Sequence, residues 1–220
     1  MTAPGVLADD ILMTARVLQR GAESVRAVMS NELNRFSSAL DALRSLATSE
    51  RIPIAIIGGL GAIRYGYPAA TQDIDVTIGR GDLDRFMNAA TRYGLTIARK
   101  ASSGWHTLMH GDVEINIVPE GGKARNSAPT TIPGPTGLGV NEGLEYASLA
   151  GWLELKLSSA RQKDRAHIVE VIKKTSTDDI VDARLQIAQV DEGYLALFDQ
   201  LHREAIDEAD QEQQRGTARR

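Results

Sequence analysis

Two aspartates one residue apart, Asp73 and Asp75, carry the chemistry most open to this chain. They lie in Asp73-Ile74-Asp75-Val76-Thr77-Ile78, which alternates polar and apolar with period two. Such alternation predicts a half-buried strand. Residues i and i+2 of a strand share a face, so the two carboxylates stand side by side while Ile74 and Val76 turn to a core. Adjacent carboxylates repel unless something neutralises them, and a hard cation such as Mg2+ takes oxygen ligands. Some fifteen residues upstream lies Gly58-Gly59. Glycine permits positive φ and close approach of backbone to a ligand, and exposed N–H groups at a helix start suit phosphate. A phosphate cradle beside a carboxylate pair is equipment for metal-assisted phosphoryl or nucleotidyl transfer.

The elements around these residues follow from pattern. Ile54 to Ile57 is continuously apolar and reads as a strand buried on both faces. Leu60 to Gly66 reads as a short helix, and Pro68 breaks the chain before the aspartate strand. The same sequence suits a crossover unit with a surface Asp pair. After Gly79 to Gly81, Asp82 is a helix N-cap for a helix running to Tyr93, and Gly94 stops it. Leu95–Arg99 and Trp105–Met109 are expected strands, and His110-Gly111-Asp112 a hairpin turn. Val113 to Val118 alternates most clearly of all, placing Glu114 and Asn116 on one face.

The pattern of strand, Gly58-Gly59, short helix and Asp73-x-Asp75 strand resembles the polymerase-β-like nucleotidyltransferase superfamily. Within it, the stretch is most similar to bacterial minimal nucleotidyltransferases related to AbiEii-type toxins. The resemblance implies an α+β fold: a small mixed sheet, a helical C-terminal domain and an N-terminal helical arm. It implies catalytic roles for Asp73, Asp75 and the Glu114/Asn116 strand, with Thr71 and Gly58-Gly59 at the nucleotide. Relatives carry a third metal-binding carboxylate on the later strand, in a run like "v-x-v-D-l-l-P". Aligning on Pro119 puts Asn116 at that position. Two readings stand. Glu114 serves as the third carboxylate and metal ligand, or Asn116 marks weakened metal chemistry, because a neutral amide is no base. Ala69 also departs from the relatives, which often carry arginine there.

Further on, Lys156, Arg161, Lys163 and Asp164 resemble a second block of the same relatives, roughly "K-l-x-a-x-R-x-K-D-x-x-D". The resemblance implies nucleotide contacts, with Lys156 on the triphosphate and Arg161 with Asp164 in support. A charged, solvated helix face would explain any one of these residues. His167 stands where the second aspartate of the block usually lies. None of the four histidines has metal-ligand spacing.

Length and composition bound the rest. A chain of 220 residues with 42% hydrophobic content supports one domain with appendages or two small ones. The expected division is a helical arm over 1–50, a nucleotidyltransferase-like core over 51–140, a helical domain over 141–210 and a flexible tail over 211–220. Apolar residues from Leu18 to Leu43 recur at helical spacing in the arm. A fold-back onto the core and a dimerisation or antitoxin-docking arm both fit that stripe. Pro119 to Gly143 is rich in Gly, Pro, Thr and Asn. It reads as a lid or acceptor loop with Lys123 and Arg125 as phosphate contacts, or equally as a solvated connector. Leu144 to Ala160 reads as one helix.

The chain has no cysteine, which rules out disulfides and thiolate metal sites. A net charge of −4 argues against a stable sequence-independent nucleic-acid binder. No signal peptide or membrane span is evident, so a cytoplasmic location is expected. The combined expectation is a Mg2+-dependent enzyme, with Mn2+ as a substitute ion. It would move an NMP from an NTP to a tRNA 3′ end or a protein side chain, as the toxin of a toxin–antitoxin pair. The alternative is a degenerate nucleotide- or partner-binding module.

Overall fold

The computed structural model describes residues 23–217, with side chains over 36–215. Residues 1–22 of the arm expected over 1–50 lie outside the described residues. Two units are present. The first takes in the chain up to Gly122 together with Ile132–Ser148, and the second takes in Lys123–Thr131 and Leu149 onward.

The first unit is built on a six-stranded mixed sheet in the order β3-β4-β5-β2-β1-β6. Its strands are β1 (Ile54–Ile56), β2 (Asp73–Ile78), β3 (Thr96–Arg99), β4 (His106–His110), β5 (Val113–Pro119) and β6 (Leu144–Tyr146). The pair β2/β5 is parallel, as is β1/β6, and the remaining neighbours run antiparallel. The α+β class expected from the pattern is the class observed.

Period-two alternation sorts each strand by face. Ile54, Ile56, Ile74, Val76, Ile78, Ile115 and Ile117 are buried in one core. Burying side chains of this size contributes about 1.5–3 kcal/mol each. Helix α1 (Glu23–Glu50) covers that core with Phe36, Ala39, Leu40, Leu43, Leu46 and Ala47, a stripe at three- and four-residue steps. From Phe36 onward the arm is therefore folded onto the sheet. Helix α3 (Leu83–Ala89) adds Phe86 and Met87 to the same core. Asp82 precedes α3 but makes no side-chain cap; it pairs with Arg85 at 2.5 Å instead. The opposite face of β2 and β5 presents Asp73, Asp75, Glu114 and Asn116.

Leu144–Tyr146 is strand and not the start of a helix, because it pairs in parallel with β1. The helix begins at Leu149. The long Gly/Pro-rich segment is anchored at its base: Gly121 donates to the Ile132 carbonyl at 2.9 Å and Ile132 to that of Gly122 at 2.8 Å.

The second unit is helical: α4 (Leu149–Ser159), α5 (Gln162–Ile172), α6 (Thr177–Val190) and α7 (Glu192–Thr217). Trp152, Leu153, Leu157, Ile168, Phe198 and Leu201 are buried in it. The first two helices are separate because Ala160 takes φ +48, and Arg161 caps the next helix in an extended conformation. Ser176 caps α6 by accepting from the Asp179 N–H. Among the described residues, no helix is long and apolar enough to cross a membrane.

Candidate functional site

The first cluster grows from the β2/β5 pairing. Parallel register sets Asp73 opposite Glu114 and Asp75 opposite Asn116, with all four on one face. Helix α2 (Gly58–Arg64) starts at the end of β1 and presses on this face. Gly58 has φ +64, and a Cβ there would lie 2.0 Å from Asp75 Oδ2. A Cβ on Gly59 would lie 2.6 Å from Thr71 Oγ1. The glycine pair is thus required by two of the site's own side chains. Only a missing Cβ lets the turn lie directly on Asp75 and Thr71.

Asp73 is held from two sides. Thr71 Oγ1 donates to Asp73 Oδ1 at 3.0 Å, and Asn116 Nδ2 donates to Asp73 Oδ2 at 3.1 Å. Glu114 shares the face but is exposed, and its neighbour across β4 is Met109. Among the described residues, no three His, Cys, Asp or Glu side chains form a group able to hold a metal ion. The carboxylates of Asp73 and Asp75 therefore stand as a pair, and Asn116, not Glu114, is the β5 side chain bonded to it. Ala69 is buried.

Sequence reasoning missed two residues. Thr107 Oγ1 lies 3.3 Å from Asn116 Oδ1, and Arg99 Nη2 lies 3.2 Å from Thr107 Oγ1. Register pairs Arg99 with Thr107 and Thr107 with Asn116. A row of polar side chains thus runs from the carboxylate pair to the edge strand. The signal lay in the β3 and β4 sequences, but the bulge between Ile97 and Arg99 hid it.

Lys156, Arg161 and Asp164 come together as a second cluster, within the helical unit. Asp164 is fully buried, and Lys156 Nζ donates to its Oδ1 at 2.7 Å. Ser159 Oγ and Arg161 Nε donate to Asp164 Oδ2 at 2.6 and 2.9 Å. Burial alone would raise the Asp164 pKa. The Lys156 charge and hydrogen bonds from Lys156, Ser159 and Arg161 outweigh it and hold the carboxyl at about 2. Lys156 is itself buried and sits 5.7 Å from the Trp152 ring centre. It is an internal ion-pair partner here and not a mobile surface cation. Arg161 is exposed, with its Nε turned inward. Burial, then the Lys156 charge, hold the His167 imidazole below the usual range. Lys123 Nζ donates to the Ala128 carbonyl at 2.9 Å, which closes a local turn.

No family profile matches the chain, and no curated protein sequence matches it. Among solved structures, it is similar to the solution structure of the antibiotic-resistance factor ANT(2'')-Ia. Identity is 14%, the TM-score is 0.44, and the match covers 82% of this chain and 98% of that one.

Proposed function

We propose that the Asp73/Asp75 face is the active site of a Mg2+-dependent nucleotidyltransferase. The observation that carries this reading is the packing of Gly58 and Gly59 directly on Asp75 and Thr71. It sets the backbone turn at the start of α2 directly against a pair of carboxylates. Magnesium is commonly held by one or two carboxylates plus substrate phosphates and water, so the donor set suits one ion on Asp73 and Asp75. When bound, the ion would screen the carboxylates from each other and from the charge of a triphosphate.

The chain's own residues then have definite tasks. Backbone groups at Gly58-Gly59 meet the phosphates of an NTP. An acceptor hydroxyl forms a bond to the α-phosphorus in line while the bond to the β-phosphate oxygen breaks, and pyrophosphate leaves. Asp73, Asp75 and Glu114 are the groups of this face able to accept the hydroxyl proton; the Asn116 amide is not. Asn116 instead holds Asp73 in place. Arg161, exposed and oriented through its Nε, is the candidate nucleotide contact of the second cluster. Lys156 and Asp164 support it from below.

The resemblance to AbiEii-type relatives motivates a tRNA 3′ end or a protein side chain as acceptor, with a toxin role and a cognate antitoxin as partner. The test is transfer from each of four α-32P-labelled NTPs, with Mg2+, to total tRNA and to the protein itself, beside Asp73→Ala. Label that depends on Asp73 supports the reading and identifies the acceptor class.

A second reading is favoured by the Asn116–Asp73 hydrogen bond, which puts a neutral donor where a third carboxylate would strengthen metal binding. On that reading the face binds a nucleotide without turnover. Binding of NTP with no label transferred from any of the four would support it.

A further inference from the structure

Arg99, Thr107, Asn116, Asp73 and Thr71 form one unbroken series of hydrogen bonds across four strands and the loop before β2. It spans about 14 Å of sheet at roughly 4.8 Å per strand. The direction of each bond follows from chemistry. Arginine can donate but cannot accept. Thr107 Oγ1 must therefore accept from Arg99, and its single proton is left to donate onward. It donates to Asn116 Oδ1. An asparagine amide has one oxygen side and one nitrogen side, so fixing Oδ1 on Thr107 turns Nδ2 toward Asp73. A carboxylate needs that choice: the flipped amide would set oxygen against oxygen.

We propose that Arg99 and Thr107 are positioning residues for the Asp73 carboxylate, acting by fixing which side of the Asn116 amide faces it. Arg99 sets the polarity of the Thr107 hydroxyl, the hydroxyl sets the amide, and the amide pins Asp73. The importance of Asp73 rests on the transferase reading. The series itself does not, because it needs neither metal nor nucleotide.

The test reads the Asn116 side-chain NH2 by 15N–1H NMR in the full chain without metal. Thr107→Val removes the hydroxyl at nearly constant shape, and Thr107→Ser restores it. Arg99→Met removes the terminal donor, and Arg99→Lys restores one. In wild type, Thr107→Ser and Arg99→Lys, the two Asn116 protons are expected to stay well separated and slow to exchange. In Thr107→Val and Arg99→Met they converge, with exchange faster by about fivefold, the factor that corresponds to losing one hydrogen bond. The proposal is overturned if Thr107→Val and Arg99→Met leave these signals unchanged, or if Thr107→Ser behaves like Thr107→Val. Failure to detect nucleotidyl transfer would count against the transferase reading alone, since the NMR result stands apart from it.

Discussion

Asn116 donates to Asp73 Oδ2 at 3.1 Å, although the residue in register with it on β2 is Asp75. The bond is diagonal, and it spends the amide on the outer carboxylate. Asn116→Asp would replace this donor with a third negative charge beside two others. Lost hydrogen bonding and like-charge repulsion would cost the metal-free protein about 1–2 kcal/mol. Millimolar Mg2+ should then stabilise the variant more than the wild type, since an ion that binds only the folded state adds stability by mass action. Urea denaturation with and without Mg2+ measures both effects. Equal stabilisation of the two proteins would speak against a metal role for this face.

Gly58 offers a sharper test. An alanine Cβ would sit 2.0 Å from Asp75 Oδ2, on a backbone at φ +64. The left-handed conformation alone costs roughly 1–2 kcal/mol for a residue with a Cβ, and the clash must displace the carboxylate. Gly58→Ala should stay folded by circular dichroism yet lose NTP binding and transfer. Gly81→Ala is the control: nothing lies within 4 Å of its added Cβ. Its stability should fall within about 0.5 kcal/mol of wild type. Unimpaired NTP binding in Gly58→Ala would remove the turn from the site.

Much of this site was legible in the sequence because strands announce their faces. The alternation of 73–78 and 113–118 marks the two carboxylates and the Glu114/Asn116 face. What alternation cannot give is the partner across the sheet. The Asn116–Asp73 bond depends on β2/β5 register, and Arg99 reaches the polar face because a bulge shifts it into the place Ala98 would otherwise take opposite Thr107. Three residues of β6 were hidden for a related reason. Leu144–Tyr146 owes its strand form to β1, not to its own propensity. The helix end at Ala160 was legible in the sequence, but its left-handed backbone was not, because alanine rarely takes positive φ and no glycine marked the turn that brings Lys156 to Asp164.

Lys173 ties α5 to the end of α7. Its Nζ reaches Glu170, Glu208 and Glu212 at 3.0, 3.3 and 2.7 Å, and its side chain is 5% exposed. The hydrogen bond that Lys173 donates to Glu212 outweighs burial, and the lysine pKa is raised. A raised pKa means the contribution is complete below the ordinary lysine range and is lost only as pH rises through the higher folded value. Lys173→Met leaves three carboxylates together. Because Glu208 and Glu212 are well exposed, solvent discounts the loss to about 1 kcal/mol or less. Hydrogen-exchange protection factors should fall over residues 205–215 in this variant and stay unchanged from pH 7 to 9 in the wild type. A uniform fall across the helical unit would mean that the cluster is not a local clasp.

Asp164 decides whether the second cluster is architecture or chemistry. Its carboxyl accepts from Lys156, Ser159 and Arg161, and its pKa is about 2 against an unperturbed 3.8. A depressed pKa gives stability that is present above the unfolded value and lost as pH falls through the folded one. The window is therefore pH 4 down to 2, and the shift corresponds to about 2 kcal/mol. Asp164→Asn would leave the buried Lys156 charge without its counter-ion, at a cost of about 3–5 kcal/mol at pH 7. The variant should also show a flatter stability curve between pH 4 and 2 in urea titrations. Lys156→Met should destabilise by a similar amount, and Arg161→Met much less, since Arg161 is exposed. NTP affinity then separates the roles. A loss in Arg161→Met without a matching loss of stability marks the arginine as a ligand contact. Affinity that falls only in step with stability would make all three residues scaffold.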